Sequence, residues 1–376
     1  MPAATNTARI RRMRTTAQLL AGPPARRVAA VPRQLLALQA QDLRAARLAV
    51  RARSAGITAA GVNDALDRRE VVIGWLCRGT LHMVVPEDYP WLLGLTGPPQ
   101  RQANARRLLQ EGFPPGRAGR AVRLLERALA DGPMERGAIG EMLAGHDLDP
   151  RGQALVHLLF QSGLAGATVR GPVVRGRQTF VLTRDWLGTS PAGELRGADR
   201  DRALAELARR YLRGHGPATP ADLALWAGLP LRDARAGFAA IGGELREIGS
   251  TATLIRGARR TAEPPPRLLG AFDAYTLGWK HREFAVPGEH AREVRRDGWI
   301  KSVVTVSGIA VGVWSSRTSG RRLAVEQQLW EQPSADDARL LREDAAALAR
   351  FEGLELELPS VSVSPTRPAR SPRPGR

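Results

Sequence analysis

The chain has 376 residues, with 56 Lys plus Arg against 37 Asp plus Glu, a formal net charge of +19. That length supports roughly two to four small domains, and the surplus charge points to a polyanion, double-stranded DNA first, through phosphate neutralisation and counterion release. A lone Cys77 excludes an intrachain disulfide and a cysteine zinc site, and no apolar run is long enough for a membrane span or a signal peptide.

The basic residues are nearly all Arg, with Lys280 and Lys301 the only lysines. A GC-rich coding bias accounts for Arg over Lys but not for the surplus itself. His82, His146, His157, His215, His281 and His290 show no short metal-ligand spacing. The composition therefore predicts a cytoplasmic, nucleoid-associated monomer with no metal, no cofactor and no membrane partner.

In chain order, the first signal is an amphipathic run over 31–38 with apolar residues at helical spacing, followed by Gln39-Ala40-Gln41 and by Asp42 as N-cap of a helix over 43–55. Two residues apart on one helix the glutamines would face different ways; across a helix break both amides can point into one cleft. The ordinary explanation is two solvated glutamines at a helix end. Gln100-Arg101-Gln102 repeats the spacing without the apolar context, so the three-residue pattern alone carries little weight.

Thr58 caps a helix over 59–67, a third helix is expected to start over 71–76, and a strand follows over 81–85. The stretch 1–115 thus reads as a divergent copy of a pattern that recurs twice more. Sliding the chain on itself by about 84 residues aligns Gly132-Pro133 with Gly216-Pro217, with a slip of about one residue bringing Gly145 onto Gly228. Each copy has a first helix (118–129; 200–213), a short second helix, a third helix (150–162; 231–240) and two β-prone stretches (167–174 with 178–183; 244–248 with 251–256). Three helices and a hairpin form the winged-helix pattern, with the third helix in the recognition position. The expected fold class is mainly α with β (α+β): winged-helix domains over 1–115, 116–190 and 199–262, then a small β-rich α+β domain over 263–358.

That last domain is read as separate, set off by the stiff linker Glu263-Pro264-Pro265-Pro266. It has expected strands over 301–306, 309–314 and 322–327, a helix over 335–350 and a final strand over 354–358. The tail 359–376, rich in Pro, Ser and Arg, is expected to be disordered and to add phosphate affinity.

Three stretches carry a resemblance: Gln39-Ala40-Gln41 in its apolar setting; Trp75-Leu76-Cys77-Arg78-Gly79-Thr80-Leu81-His82-Met83-Val84; and Ala271-Phe272-Asp273, where Ala271 stands in place of a proline. In these the chain resembles the AlkZ/YcaQ family of winged-helix alkylpurine DNA glycosylases, over roughly 15–358. Gln41 in the second motif position, where the YcaQ-like branch has an acidic residue, places it nearer the AlkZ-like branch. The resemblance implies that Gln39 and Gln41 are catalytic.

Cleaving a deoxyribose N-glycosidic bond proceeds through an oxocarbenium-like transition state, and a neutral amide orients water and places partial negative charge by the sugar but accepts no proton at neutral pH. A glutamine pair therefore suits a base that is already cationic, such as N7-alkylated guanine, in keeping with the alkylation and crosslink repair that the resemblance implies. Gln39 is assigned to water and Gln41 to its partner, or the reverse. His82 and Asp273 are secondary candidates, set against a structural histidine in a strand and a turn-capping aspartate. Arg78 beside a glycine turn, and Arg170, Arg175 and Arg177 on a wing, are the candidate phosphate contacts, set against a solvated charged hairpin. Two other functions stay open on sequence grounds: a non-catalytic winged-helix DNA-binding protein or regulator, and a protein-binding scaffold that leaves the charge unused.

Overall fold

A computed structural model describes residues 2–189, 193–257, 259–357 and 360–363, with side chains from residue 7 onward. The first region holds α1 (Pro2–Ala17), α2 (Ala30–Leu35), β1 (Leu38–Gln39), α3 (Leu43–Arg51), α4 (Ala59–Asp67), β2 (Val72–Trp75), β3 (Leu81–Val84) and the long α5 (Tyr89–Gln110). The next holds α6 (Pro115–Ala130), β4 (Met134–Glu135), α7 (Arg136–Ala144), α8 (Ala154–Leu164), the hairpin β5 (Thr168–Val174) and β6 (Arg177–Leu182), and α9 (Thr183–Leu187). Then come α10 (Gly197–His215), α11 (Pro220–Ala227), α12 (Leu231–Ala240) and the hairpin β7 (Leu245–Ile248) and β8 (Thr251–Leu254). The C-terminal part comprises β9 (Arg267–Leu269), α13 (Ala274–Leu277), α14 (Ala291–Val294), β10 (Arg295–Arg296), β11 (Trp299–Ile300), β12 (Val303–Val306), β13 (Ile309–Ser319), β14 (Arg322–Leu329), α15 (Ala335–Glu352), β15 (Glu355–Leu356) and β16 (Ser360–Val363). The fold is α+β, and no described helix is long and apolar enough to cross a membrane.

Local chemistry accounts for several element boundaries. Asp42 accepts hydrogen bonds from the Arg44 and Ala45 amides and so starts α3; Thr58 accepts from the Gly61 amide to start α4. Thr219 and Asp222 form a reciprocal capping box on α11, and Ser334 caps α15.

The expected architecture needs correction at four places. Residues 71–76 do not begin a helix: β2 is a buried strand in the centre of a six-stranded sheet ordered β1-β3-β2-β5-β6-β4, where Val72, Ile73 and Trp75 favour a pleated surface buried on both faces. The units are not independent either, because β2 pairs with β5 at Ile73 and Arg170 and one hydrophobic cluster runs from Leu19 to Phe351. The C-terminal part is not separate, since Leu48 of α3 lies in its core with Leu268, Trp314 and Leu341, and two buried ion pairs, Arg51–Asp344 and Arg53–Asp273, join it to the end of α3 and the turn after it. Finally, Ser360–Val363 within the expected tail add to the sheet as a parallel strand beside β14; the rest of that tail lies outside the described residues.

Candidate active site

The run 31–38 is helical only to Leu35. Leu36 adopts φ 70°, outside helical space, and the chain turns into β1, which pairs antiparallel with β3 so that Gln39 stands opposite His82. The Ala40 amide donates to the Leu81 carbonyl at 2.7 Å, and the Leu81 amide donates to Gln41 Oε1 at 3.1 Å. The Gln41 side chain thus supplies an acceptor where strand pairing stops and α3 begins. The two glutamines therefore lie in the break between α2 and α3, Gln39 in β1 and Gln41 in the bend that follows it.

Arg78 closes the other side of the motif. Its guanidinium donates through Nη2 to Gln39 Oε1 at 3.2 Å and through Nη1 to the Trp226 carbonyl at the C-terminal end of α11. A helix C-terminus carries partial negative charge, which suits a guanidinium. Burial lowers the Arg78 pKa from its ordinary value, and Arg78 itself has φ 57°. A left-handed non-glycine residue costs of order 1 kcal/mol and marks a backbone held by its surroundings. Here the surroundings include Gly228, φ 72°, where a Cβ would lie 3.0 Å from the Arg78 backbone nitrogen. This contact could not be read from the sequence, which placed Gly228 only at a helix end.

His82 is buried, its Nδ1 lies 3.0 Å from the Thr80 carbonyl, and its pKa is pushed down to about 3, by burial first and then by Arg78. The imidazole is neutral at physiological pH, so Nδ1–H donates and Nε2 is left as the acceptor. It offers no proton to a leaving base. Gln39 and His82 face each other across β1 and β3, with Gln41 in the bend after β1 and Arg78 in the turn before β3 held to them by hydrogen bonds to Leu81 and Gln39.

Asp273 stands apart from this group in chemistry. Its two oxygens accept from Arg53 Nη1 and Nη2 at 2.8 and 2.7 Å and one also caps Tyr275 at 2.8 Å, with both ion-pair side chains fully buried. A fully buried carboxylate clamped by a bidentate guanidinium and a backbone amide is committed to holding the fold, so the helper role is corrected to a structural one.

Arg170 is also corrected. It does not join a phosphate cluster but lies over the Phe180 and Trp75 rings at 4.0 and 5.5 Å, its pKa held down to about 10 by burial first and then by Arg136. It stands opposite Ile73 at the β2–β5 junction, half-buried against the sheet. Arg175 and Arg177 are exposed at the tip of the same hairpin, Arg177 pairing with Glu135 at 3.2 Å. The third helix of this unit, α8, carries no cation, whereas α12 exposes Arg232 and Arg235. Among the described residues no group of three His, Cys, Asp or Glu could hold a metal ion.

The chain is similar to known proteins over most of its length. The family model described as "AlkZ-like: DNA glycosylase AlkZ-like" matches residues 33–351, a span that includes both glutamines and Arg78. An interstrand DNA cross-link repair glycosylase of Streptomyces sahachiroi is 28% identical over 350 residues, 85% of this chain and 90% of the relative. The solved structure of the Streptomyces sahachiroi DNA glycosylase AlkZ superposes with a TM-score of 0.75 at 23% identity, covering 94% of this chain and 99% of that one, which shows a common fold. The chain belongs to the AlkZ-like DNA glycosylase family, enzymes that hydrolyse N-glycosyl bonds in DNA.

Proposed function

We propose that this glycosylase releases N7-alkylated guanine from double-stranded DNA, including guanines joined in the interstrand cross-links for which its Streptomyces sahachiroi relative is named. The observation that carries this reading is the acid-base poverty of the motif: two neutral amides, one guanidinium and one buried neutral imidazole. A base alkylated at N7 is already cationic and leaves without protonation, so the protein has only to place water and support positive charge on the sugar.

Gln39 positions the water. Its Oε1 receives one hydrogen bond from Arg78 and keeps a second lone pair for the nucleophile, while Gln41, held by the Leu81 amide, is its partner at the sugar. Arg78 is a positioning residue: a guanidinium directly beside an oxocarbenium ion would oppose it, but one that holds the Gln39 amide and faces a DNA phosphate would not. The units over 116–190 and 199–262 act as winged helices on the duplex, with Arg175, Arg177, Arg232 and Arg235 as phosphate contacts.

The test is base release from duplex DNA carrying N7-methylguanine, beside the same duplex carrying uracil or hypoxanthine. Release of the first and retention of the other two is expected. Equal release of neutral bases would mean that a proton donor acts in the site and would overturn this assignment.

A further inference from the structure

A second cationic site lies beyond Arg78, on the segment that follows α13. Lys280, Arg282 and Arg295 line a cavity of about 220 Å³ with Glu283 as its one carboxylate and with Val286, Val294 and Ile300 among its apolar walls. Arg282 is half-buried, and among the described residues its enclosed Nε has no hydrogen-bond partner and no ion pair or hydrogen bond holds its guanidinium. Leaving a guanidinium partly desolvated and unpaired is costly, so a site that does so is built for an anion from outside.

Its place in the fold connects it to the glutamines. Helix α11 holds both ends: Asp222 at its first turn accepts from the Lys280 amide at 2.8 Å, and Trp226 at its last turn accepts from Arg78. Arg282 also lies near enough to Arg295 and Arg78 that, after burial, their charges hold its pKa down. With Glu283 as the one carboxylate lining the cavity against three cations, a net positive field is left that an entering polyanion relieves.

We infer that the cavity lined by Lys280, Arg282 and Arg295 binds a backbone phosphate of the duplex next to the nucleotide held at Gln39, with Arg282 as the principal contact. This rests on the glycosylase reading of the Gln39–Gln41 motif and assigns to its substrate a fixed phosphate anchor. A phosphate pinned on one side of the sugar sets its distance from Gln39, which is the kind of positioning on which near-attack geometry depends.

The experiment measures duplex affinity against salt for the full-length protein and for Arg282→Ala, Arg282→Lys and the charge-matched control Arg342→Ala on exposed α15. Arg282→Ala is expected to weaken binding roughly tenfold at low salt and to reduce the slope of log affinity against log salt by about 0.9, the loss of one phosphate contact. Arg282→Lys should restore most of the slope, since a lysine supplies the charge without the fork. Arg342→Ala should leave the slope unchanged. In single-turnover release from N7-methylguanine duplex, Arg282→Ala should need more protein for half-maximal rate and should also lower the maximal rate several-fold, because the anchor sets the place of the sugar. An unchanged salt slope in Arg282→Ala, or an equal change in Arg342→Ala, overturns the anchor. Wild-type protein that shows the slope effect but releases no base overturns instead the glycosylase assignment of the motif and leaves the phosphate site standing.

Discussion

The two repeats that align over 118–187 and 199–257 share a sequence pattern and differ in what they do to the rest of the molecule. The first extends a sheet: β5 joins β2, and Arg170 is consumed as a half-buried cation over Phe180 and Trp75. The second buttresses the motif: Gly214 lies against the backbone of Gln34 and Leu35, Gln34 donates to the Arg213 carbonyl at 2.9 Å, and Trp226 and Gly228 receive Arg78. At the position aligned with Gly214 the first repeat has Ala130, exposed to solvent. Identical local patterns therefore carry no information about which copy faces the site; that is settled by which surfaces tolerate close backbone approach.

The sharpest way to break this contrast is at the motif that the second repeat supports. Gln39→Ala and Gln41→Ala should each reduce release of N7-methylguanine by roughly a hundredfold or more, the scale of one lost preorganised contact, with duplex affinity within a few fold. Full activity in both variants would place the chemistry elsewhere and remove the reason to single out the second repeat.

Next in size is a paired substitution at aligned positions. A Cβ at Gly214 would lie 2.7 Å from the Gln34 carbonyl oxygen, so Gly214→Ala should cost about 1–3 kcal/mol of stability through overpacking against backbone. Ala130→Gly should cost only ~0.5–1 kcal/mol, the helix penalty of glycine. Urea denaturation of the two variants decides it, and equal losses would mean that the repeats are packed alike.

Acid sharpens the same comparison through His215, which lies in the second repeat among Tyr211, Trp226 and Trp279. Burial lowers its pKa to about 3, as it does for His82, against an ordinary value of 6.5. Both are neutral when folded, while the unfolded chain takes up protons below 6.5, so stability is complete above that value and falls as pH drops toward 3. His215→Phe, which keeps a ring in the aromatic box, should flatten this loss in part; the midpoint of urea unfolding at mildly acidic and neutral pH reads it. A wild-type midpoint that does not move between those conditions would contradict the buried neutral histidines.

The smallest effects concern the first repeat's hairpin. Arg175→Ala and Arg177→Ala should each lower the salt slope of duplex binding by at most about 0.9, and Arg177→Ala by less, because Glu135 already shares its charge. Arg170→Ala should leave the slope alone and lower stability, since it removes a cation packed over two rings. A slope change for Arg170→Ala would return it to the DNA surface.

Much of the architecture was legible because it depends on local chemistry. Asp42 and Thr58 as caps, the helices on either side of each Gly-Pro turn, and the strands and long helix of the C-terminal region follow from side chains acting on their own backbone or from periodic apolar faces. Residues 71–76 misled because a short apolar run suits a helix start as well as a buried central strand, and the deciding fact, pairing with β3 and β5, is not local. Arg282 was passed over for a similar reason: a lone arginine in a loop has no pattern until the fold leaves it without a partner.

By itself the sequence determined that the molecule is basic, mostly helical with hairpins, internally repeated, and marked by two glutamines followed by a capping aspartate, because charge, periodicity and capping act over a few residues. Tertiary structure alone decided that Gln39 meets His82 and Arg78, that Asp273 is spent on Arg53, and that Arg170 is half-buried over two rings while Arg175 is exposed. Those outcomes depend on long-range strand pairing and on the cost of burying charge, which selects partners from distant parts of the chain and leaves no trace in the spacing of the residues that pair.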